Sequence, residues 1–295
     1  MPTASASTRV AEVPCPDRFE LPRHDAQYRI TCSRGESEIP AIVHAAQRIH
    51  GRSYVDYGYF DASGLTADGR LVPELDGTRS QHGDKVVATY LVASPTRNRA
   101  STPTATVRLL DIGSNGSLAD LPTYAYFADT FSAEVKRHLH RIVEIAGPQG
   151  IREIAALATI DAQSHRGSYE LIRAMTQNSM LKAHANGYPE LYLASLTTHS
   201  LGPIVEFVGR RSVTVLGQSV QIFSADTRSR SIMVTPVLID LSVVVDNIFD
   251  ELRESVDQSR RAELEAKAAF LTDGLDSVTS PWCPRQELRE GTQAS

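Results

Sequence analysis

The 295-residue sequence has no uninterrupted apolar run of the roughly 18 residues that a membrane-spanning helix needs. Its N-terminus also lacks the apolar core of a signal peptide. No membrane insertion is expected, and a soluble, cytoplasmic protein is. Cysteine is scarce: Cys15, Cys32 and Cys283 lie far apart, without metal-ligand spacing or the density of a disulfide framework. A reducing compartment and no metal site are expected. Neither charge sign dominates, because 30 basic and 35 acidic residues are well mixed and leave a net −5. That balance excludes the basic stripe of a nucleic-acid surface. Gly-x-Ser-x-Gly, a Walker loop and a dinucleotide fingerprint are all missing, and no cysteine has a histidine close by in sequence.

A hydrophobic content of 41% over this length supports one substantial core. Residues 1–22, rich in Ser, Ala, Thr and Pro, read as a disordered tail, and 273–295 as another. Between them the expected divisions are a main domain over 23–243 and a C-terminal helix over 244–272. The first strand is predicted at 28–33. A helix at 38–49 follows, with Ile39, Ile42, Val43, Ala46 and Ile49 on one face. The stretch from Tyr54 through Asp76 is aromatic and glycine-rich and fits no regular period. Tyr54, Tyr57, Tyr59 and Phe60 are many aromatics for a solvated loop, so they are expected to bind substrate, covering an acyl or acceptor pocket, or else to extend the core. Strands are predicted at 84–93 and 104–111, and a helix at 132–145 closed by Gly147 and Pro148. A short helix is predicted at 202–210. Arms at 212–216 and 219–225 read as a hairpin turned at Gly217 and Gln218. An apolar run occupies 232–241, and a single helical pattern covers 242–269.

The stretch 152–217 organises the rest. It opens with a nearly uncharged strand, 152–160, and continues through a polar turn, 161–168. A helix at 169–185 carries Leu171, Ala174, Met175, Leu181 and Ala185 at spacings of three and four, and a second strand follows at 190–195. Strand, helix and strand make a crossover unit with two parallel strands. The turn before the helix contains Arg166, Gly167 and Ser168. A helix N-terminus favours anions, glycine permits close backbone approach, and arginine suits a phosphate. The same triplet also reads as a plain turn with Ser168 as N-cap.

The order of these elements resembles the Gcn5-related N-acyltransferase superfamily, and within it the acyl-homoserine-lactone synthases and N-acyl amino acid synthases. Four stretches carry the resemblance: the aromatic stretch Tyr54 to Phe60 with Asp76; Val86, Val87, Ala88, Thr89 with Thr106, Val107, Arg108, Leu109, Leu110; Leu121 and Pro122 with Phe127; and the glutamate-led strand from Glu153 to Thr159. It spans roughly residues 25–243. The resemblance implies an α/β (α+β) fold: a central mixed, mostly antiparallel sheet, splayed fourth and fifth strands, and helices on both faces. It implies transfer of an acyl group, medium or long, from a phosphopantetheine thioester to an amine such as an amino acid. Acyl-coenzyme A or an acyl carrier protein would be the co-substrate, with no permanently bound cofactor. In that family the pantetheine arm lies against the fourth strand, here Leu157, Ala158, Thr159 and Ile160, and phosphate sits on the following turn, here Gln163, Arg166, Gly167 and Ser168. The turn departs from the family pattern, with Arg166 and Ser168 in place of small residues. Ala156 stands where the synthases carry an arginine, and Val205 where many members carry a tyrosine acid.

Aminolysis of a thioester needs a placed amine, a proton acceptor and oxyanion donors. Glu153 is the candidate base, or a plain strand-end carboxylate. Arg108 orients Glu153 or a substrate carboxylate, or is a strand arginine with a buried stem. His199 follows the fifth strand, where the resemblance implies an asparagine near the thioester, or it caps a helix. Phe127, with Phe131 and Leu139, points to an apolar acyl site. The basic run of Lys136, Arg137, His138, His140 and Arg141, with Arg210 and Arg211, is a solvated face that could dock an acidic acyl carrier protein. Two other functions fit the same residues: acetyl transfer to a small amine or protein lysine, and acyl-ligand sensing without turnover.

Overall fold

Short apolar runs build strands, and the eight among the described residues join one mixed sheet. The computed structural model describes residues 28–34, 40–58, 60–72, 85–96, 102–160, 166–223, 231–273 and 275. The predicted tail at 1–22, nearly all of that at 273–295, and Cys15, Tyr59, Asp76, Gln163 and Cys283 lie outside the described residues.

The strands are β1 (Tyr28–Arg34), β2 (Val86–Pro95), β3 (Ala105–Ile112), β4 (Ile151–Thr159), β5 (Leu191–Thr197), β6 (Val213–Val215), β7 (Val220–Phe223) and β8 (Ser231–Asp240). Their order in the sheet is β1-β2-β3-β4-β5-β8-β6, with β7 also on β8. Every pairing is antiparallel except β4 with β5. The helices are α1 (Pro40–Asp56), α2 (Pro122–Phe127), α3 (Ala133–Ala146), α4 (Arg166–Asn186), α5 (Thr198–Val208), α6 (Val244–Glu254) and α7 (Gln258–Thr272). No helix among the described residues is long and apolar enough to cross a membrane.

Adjacent residues of one strand point to opposite faces, so the sheet carries two cores. Leu109 and Tyr192 pack with Leu171 and Met175 of α4, Val245 of α6 and Leu264 of α7. Their neighbours Leu110 and Leu193 pack with Tyr124 and Phe127 of α2 and Leu139 of α3. Val43 and Ala46 of α1 lie against Tyr90 and Val92 of β2. The expected mixed, mostly antiparallel sheet with helices on both faces is what the chain forms.

The parallel pair is short. It runs from Ile151 opposite Leu191 to Ile154 opposite Ala194 and then stops, although both strands continue. From there β4 stays with β3, and β5 stays with β8. This is the predicted splay. Below it the pair is clamped by buried charge. Arg152 contacts Asp111 at 2.5 Å and Glu190 at 3.5 Å. Glu190 also accepts from Tyr192 Oη at 2.5 Å, from Asn178 and from Lys182.

Several boundaries differ from the sequence reading. α1 continues past Ile49 to Asp56, because Gly51 is tolerated where the chain packs closely: a Cβ there would meet Leu65 Cδ2 at 2.9 Å and the Gly69 carbonyl at 3.1 Å. Tyr54 is therefore helical rather than part of a loop. α4 begins at Arg166, so Gly167 and Ser168 lie inside its first turn and Ser168 is not its N-cap. α5 starts at Thr198, with Thr197 as the cap accepting from the Ser200 N–H. Among the described residues the arms predicted at 212–216 and 219–225 pair with β8 rather than with each other. β6 pairs with Val237–Ile239 and β7 with the other end of β8, because a ten-residue strand can host both. The pattern at 242–269 is two helices, α6 and α7, broken where Asp257 caps α7 by accepting from the Ser259 and Arg260 N–H groups.

Candidate functional site

Local sequence explains how Glu153 is held. Pro122 opens α2 and has no N–H to offer, so Thr123 carries the first free donor of that turn. Glu153 of β4, 3% exposed, accepts from the Thr123 N–H at 3.0–3.1 Å and from the Thr123 hydroxyl at 2.9 Å. Burial pushes its carboxyl up to about 7, opposed by the two Thr123 bonds and, less, by the positive charge of Arg108. The Thr123 hydroxyl also lies 2.8 Å from Ser195 Oγ. Since Thr123 gives its proton to Glu153, Ser195 is the donor of that bond. Ser195 is the first β5 residue past the last β4–β5 pair. A chain of hydroxyls thus runs from the opening between the strands to a buried carboxylate of nearly neutral pKa.

Arg108 of β3 lies opposite Ala156, and the register shifts between Arg108 and Leu109 so that Ala155 is bulged. Its guanidinium, 8% exposed, lines a cavity of about 10 Å³ with Gln47, His50, Tyr90, Thr106 and Ala156. Tyr54 packs edge-on against His50, ring centroids 4.0 Å apart, and Phe60 lies 5.6 Å from Tyr54. Tyr57 is 51% exposed and turns to solvent. Phe127 is a core residue of the α2–α3 cluster.

On the donor side, Leu157, Ala158 and Thr159 belong to the part of β4 that β5 has left. The Ile160 N–H and the Thr159 hydroxyl both bond the Thr104 carbonyl. Gly167 is a packing position: a Cβ would meet Ala105 Cβ at 2.7 Å and Thr104 Oγ1 at 3.2 Å. Arg166, 48% exposed, borders a groove of about 570 Å³ between α4, α5 and α7. Tyr169, stacked on Phe207 at 4.7 Å, lines it with Lys267 and Phe270. His199 sits in the first turn of α5. The basic residues expected to dock a carrier divide. Arg137 and Arg141 on α3 are exposed, whereas Arg211 lies within 3.8–4.0 Å of Asp250 and Glu254.

The structure therefore brings Arg108 and Tyr54 to His50, with Phe60 beside Tyr54, and places Glu153 on the same sheet face as Arg108. Sequence reasoning missed four residues: Gln47, His50, Thr123 and Ser195. Gln47, His50 and Tyr54 have helical spacing, but ending α1 at Ile49 hid it. Thr123 and Ser195 have no local signal at all.

No protein-family model matches the sequence, and no curated protein matches it. Among solved structures the chain is similar to the N-acyl amino acid synthase FeeM from uncultured soil microbes. The TM-score is 0.41 at 14% identity, over 76% of this chain and 96% of that one. It is likewise similar to the AHL synthase LasI, with a TM-score of 0.44 at 10% identity, over 74% of this chain and 93% of that one.

Proposed function

We propose that the protein is an N-acyltransferase that moves an acyl group from a phosphopantetheine thioester to an amine by direct attack. One observation carries this reading: β4 and β5 part after Ile154 and Ala194 while both strands continue. An edge of β4 without a strand partner can pair with an extended, amide-bearing pantetheine arm as it would with a peptide. Leu157 to Ile160 would take that arm. Arg166 and the groove beside it would take the phosphate end, on coenzyme A or on a carrier protein steered by Arg137 and Arg141. His199 would lie near the thioester, and the acyl chain would rest against the cluster that contains Phe127.

The amine nitrogen attacks the thioester carbonyl, a C–N bond forms and the C–S bond breaks. The proton leaves the amine through Ser195 and Thr123 to Glu153 and then goes to the departing thiolate, so the products are an amide and a free thiol. A base near neutrality suits this task, since it is ionised at working pH and still holds a proton briefly. Tyr54 and Phe60 would cover the acceptor. The test is thiol release from acyl-coenzyme A thioesters, acetyl to palmitoyl, and from acyl-loaded carrier proteins, each with a panel of amines. Release that requires both a long-acyl donor and an amine is expected. Absence of release from every donor over hours would overturn the proposal.

A further inference from the structure

Gln47 and His50 lie on the face of α1 that meets the sheet, one helical turn apart, and are 5% and 6% exposed. Among the described residues, neither the amide nitrogen nor the amide oxygen of Gln47 has a hydrogen-bond partner, and neither does His50 Nε2. Polar atoms buried without partners are costly, so such a cluster calls for an occupant. With the Arg108 guanidinium of β3 they line a cavity of about 10 Å³. Tyr90, Thr106 and Ala156 also line it, so α1, β2, β3 and β4 all contribute to its wall.

Size and charge decide what fits. The cavity has room for one water-sized sphere, too little for a polyatomic anion such as sulfate or phosphate. Arg108 contributes a permanent cation, and no carboxylate is among the lining residues. Glu153, an acid on the same sheet face, is engaged by Thr123. Burial, and then the Arg108 charge, hold His50 well below the usual imidazole range, so it is neutral and can donate from Nε2. The space is therefore electropositive and rich in donors. A water would satisfy the amide and the imidazole, but it brings no charge to a buried guanidinium. A monatomic anion accepts from the Gln47 amide, the imidazole and the guanidinium together, and charge-assisted contacts are the stronger kind.

We propose that Gln47, His50 and Arg108 form a binding site for a single chloride ion between α1 and the sheet. The ion ties α1 to β3 and belongs to the folded state, since residues so far apart in sequence meet only there. Its binding therefore stabilises the fold in proportion to the chloride present. The site stands apart from acyl transfer and holds whether or not the protein turns over a thioester.

The experiment follows thermal unfolding of the full-length protein in potassium chloride and in potassium gluconate at matched ionic strength and pH. Tm should be about 2–4 °C higher in chloride once the site is largely filled. Bromide should reproduce the rise. Gln47→Met and His50→Phe replace the polar groups at similar volume and should each abolish the difference between the two salts. Equal Tm in chloride and gluconate overturns the site, and a cavity that holds only water gives that result. A chloride effect that both variants keep in full places the ion elsewhere and overturns it as well. Should neither variant fold, crystals of the wild-type protein grown in bromide decide. Anomalous scattering in the cavity beside Gln47, His50 and Arg108 supports the site, and its absence there removes it.

Discussion

Glu153 shows how one residue balances opposed effects. Desolvation raises its pKa, while Thr123 and Arg108 pull it down, and desolvation wins, leaving it near 7 against an ordinary 4.5. The folded pKa lies above the unfolded one, so the fold holds a proton that the unfolded chain has already released as pH rises from 4.5. The associated stability is complete below about 4.5 and is lost as pH rises through about 7. The loss is about 3 kcal/mol for this shift. Glu153→Gln lacks the titration. The difference in unfolding free energy between variant and wild type should therefore move by about 3 kcal/mol in the variant's favour between about pH 4 and about pH 8, measured by urea denaturation. A constant difference would show that Glu153 stays ionised in the fold. On the proposed acyl transfer with Glu153 as base, the same variant should lose at least about 100-fold in turnover, and wild-type turnover should rise with pH through about 7.

Among the elements, α4 shows how a motif can carry two explanations that structure separates. Gly167 read as a place for a ligand to approach the backbone. In the fold the closest approach there is from β3, with Ala105 Cβ 2.7 Å from the position a side chain would start. Neither α4 nor β3 can yield without disturbing the core that includes Ala105 and Leu171. Gly167→Val should accordingly destabilise the protein by about 1–3 kcal/mol, as overpacking does, and lower Tm before any donor is added. An unchanged Tm with weakened donor binding would return Gly167 to the proposed phosphate site.

Across the whole molecule, α6 and α7 are continuous with the core. Leu264 and Leu271 are fully buried and share a cluster with Leu171 and Tyr192. Gln177 of α4 bonds the Leu271 carbonyl at 2.9 Å, and Arg173 reaches Asp273 at 3.3 Å. Leu264→Ala should cost about 2–5 kcal/mol and shift one cooperative transition rather than split it in two. Separate melting of the C-terminal helices, followed by circular dichroism and tryptophan-independent calorimetry, would contradict this. α7 also walls the groove beside Arg166, where the donor is proposed to bind, so the same substitution should weaken that binding only as far as it unfolds the chain.

By itself the sequence determined which segments become strands or helices, since apolar run length, period and capping are properties of a few neighbouring residues. Apolar runs of strand length marked β2, β3, β4, β5 and β8, and three- and four-residue spacing marked α4 to within a few positions. The strand–helix–strand order was enough to anticipate the parallel pair, and the family resemblance implied its splay and the helices on both faces. Tertiary structure alone decided the rest. The two short arms after Ser212 chose β8 over each other, which depends on the strand each can cover and not on the turn between them. The Ser195–Thr123–Glu153 chain joins residues 72 and 30 positions apart in sequence, so no window along the chain contains it. Gln47 and His50 look like ordinary residues of an amphipathic helix until β2, β3 and β4 close around them with Arg108. Burial turns a common polar side chain into a group that must find a partner or alter its charge, and burial is set by residues distant in the chain.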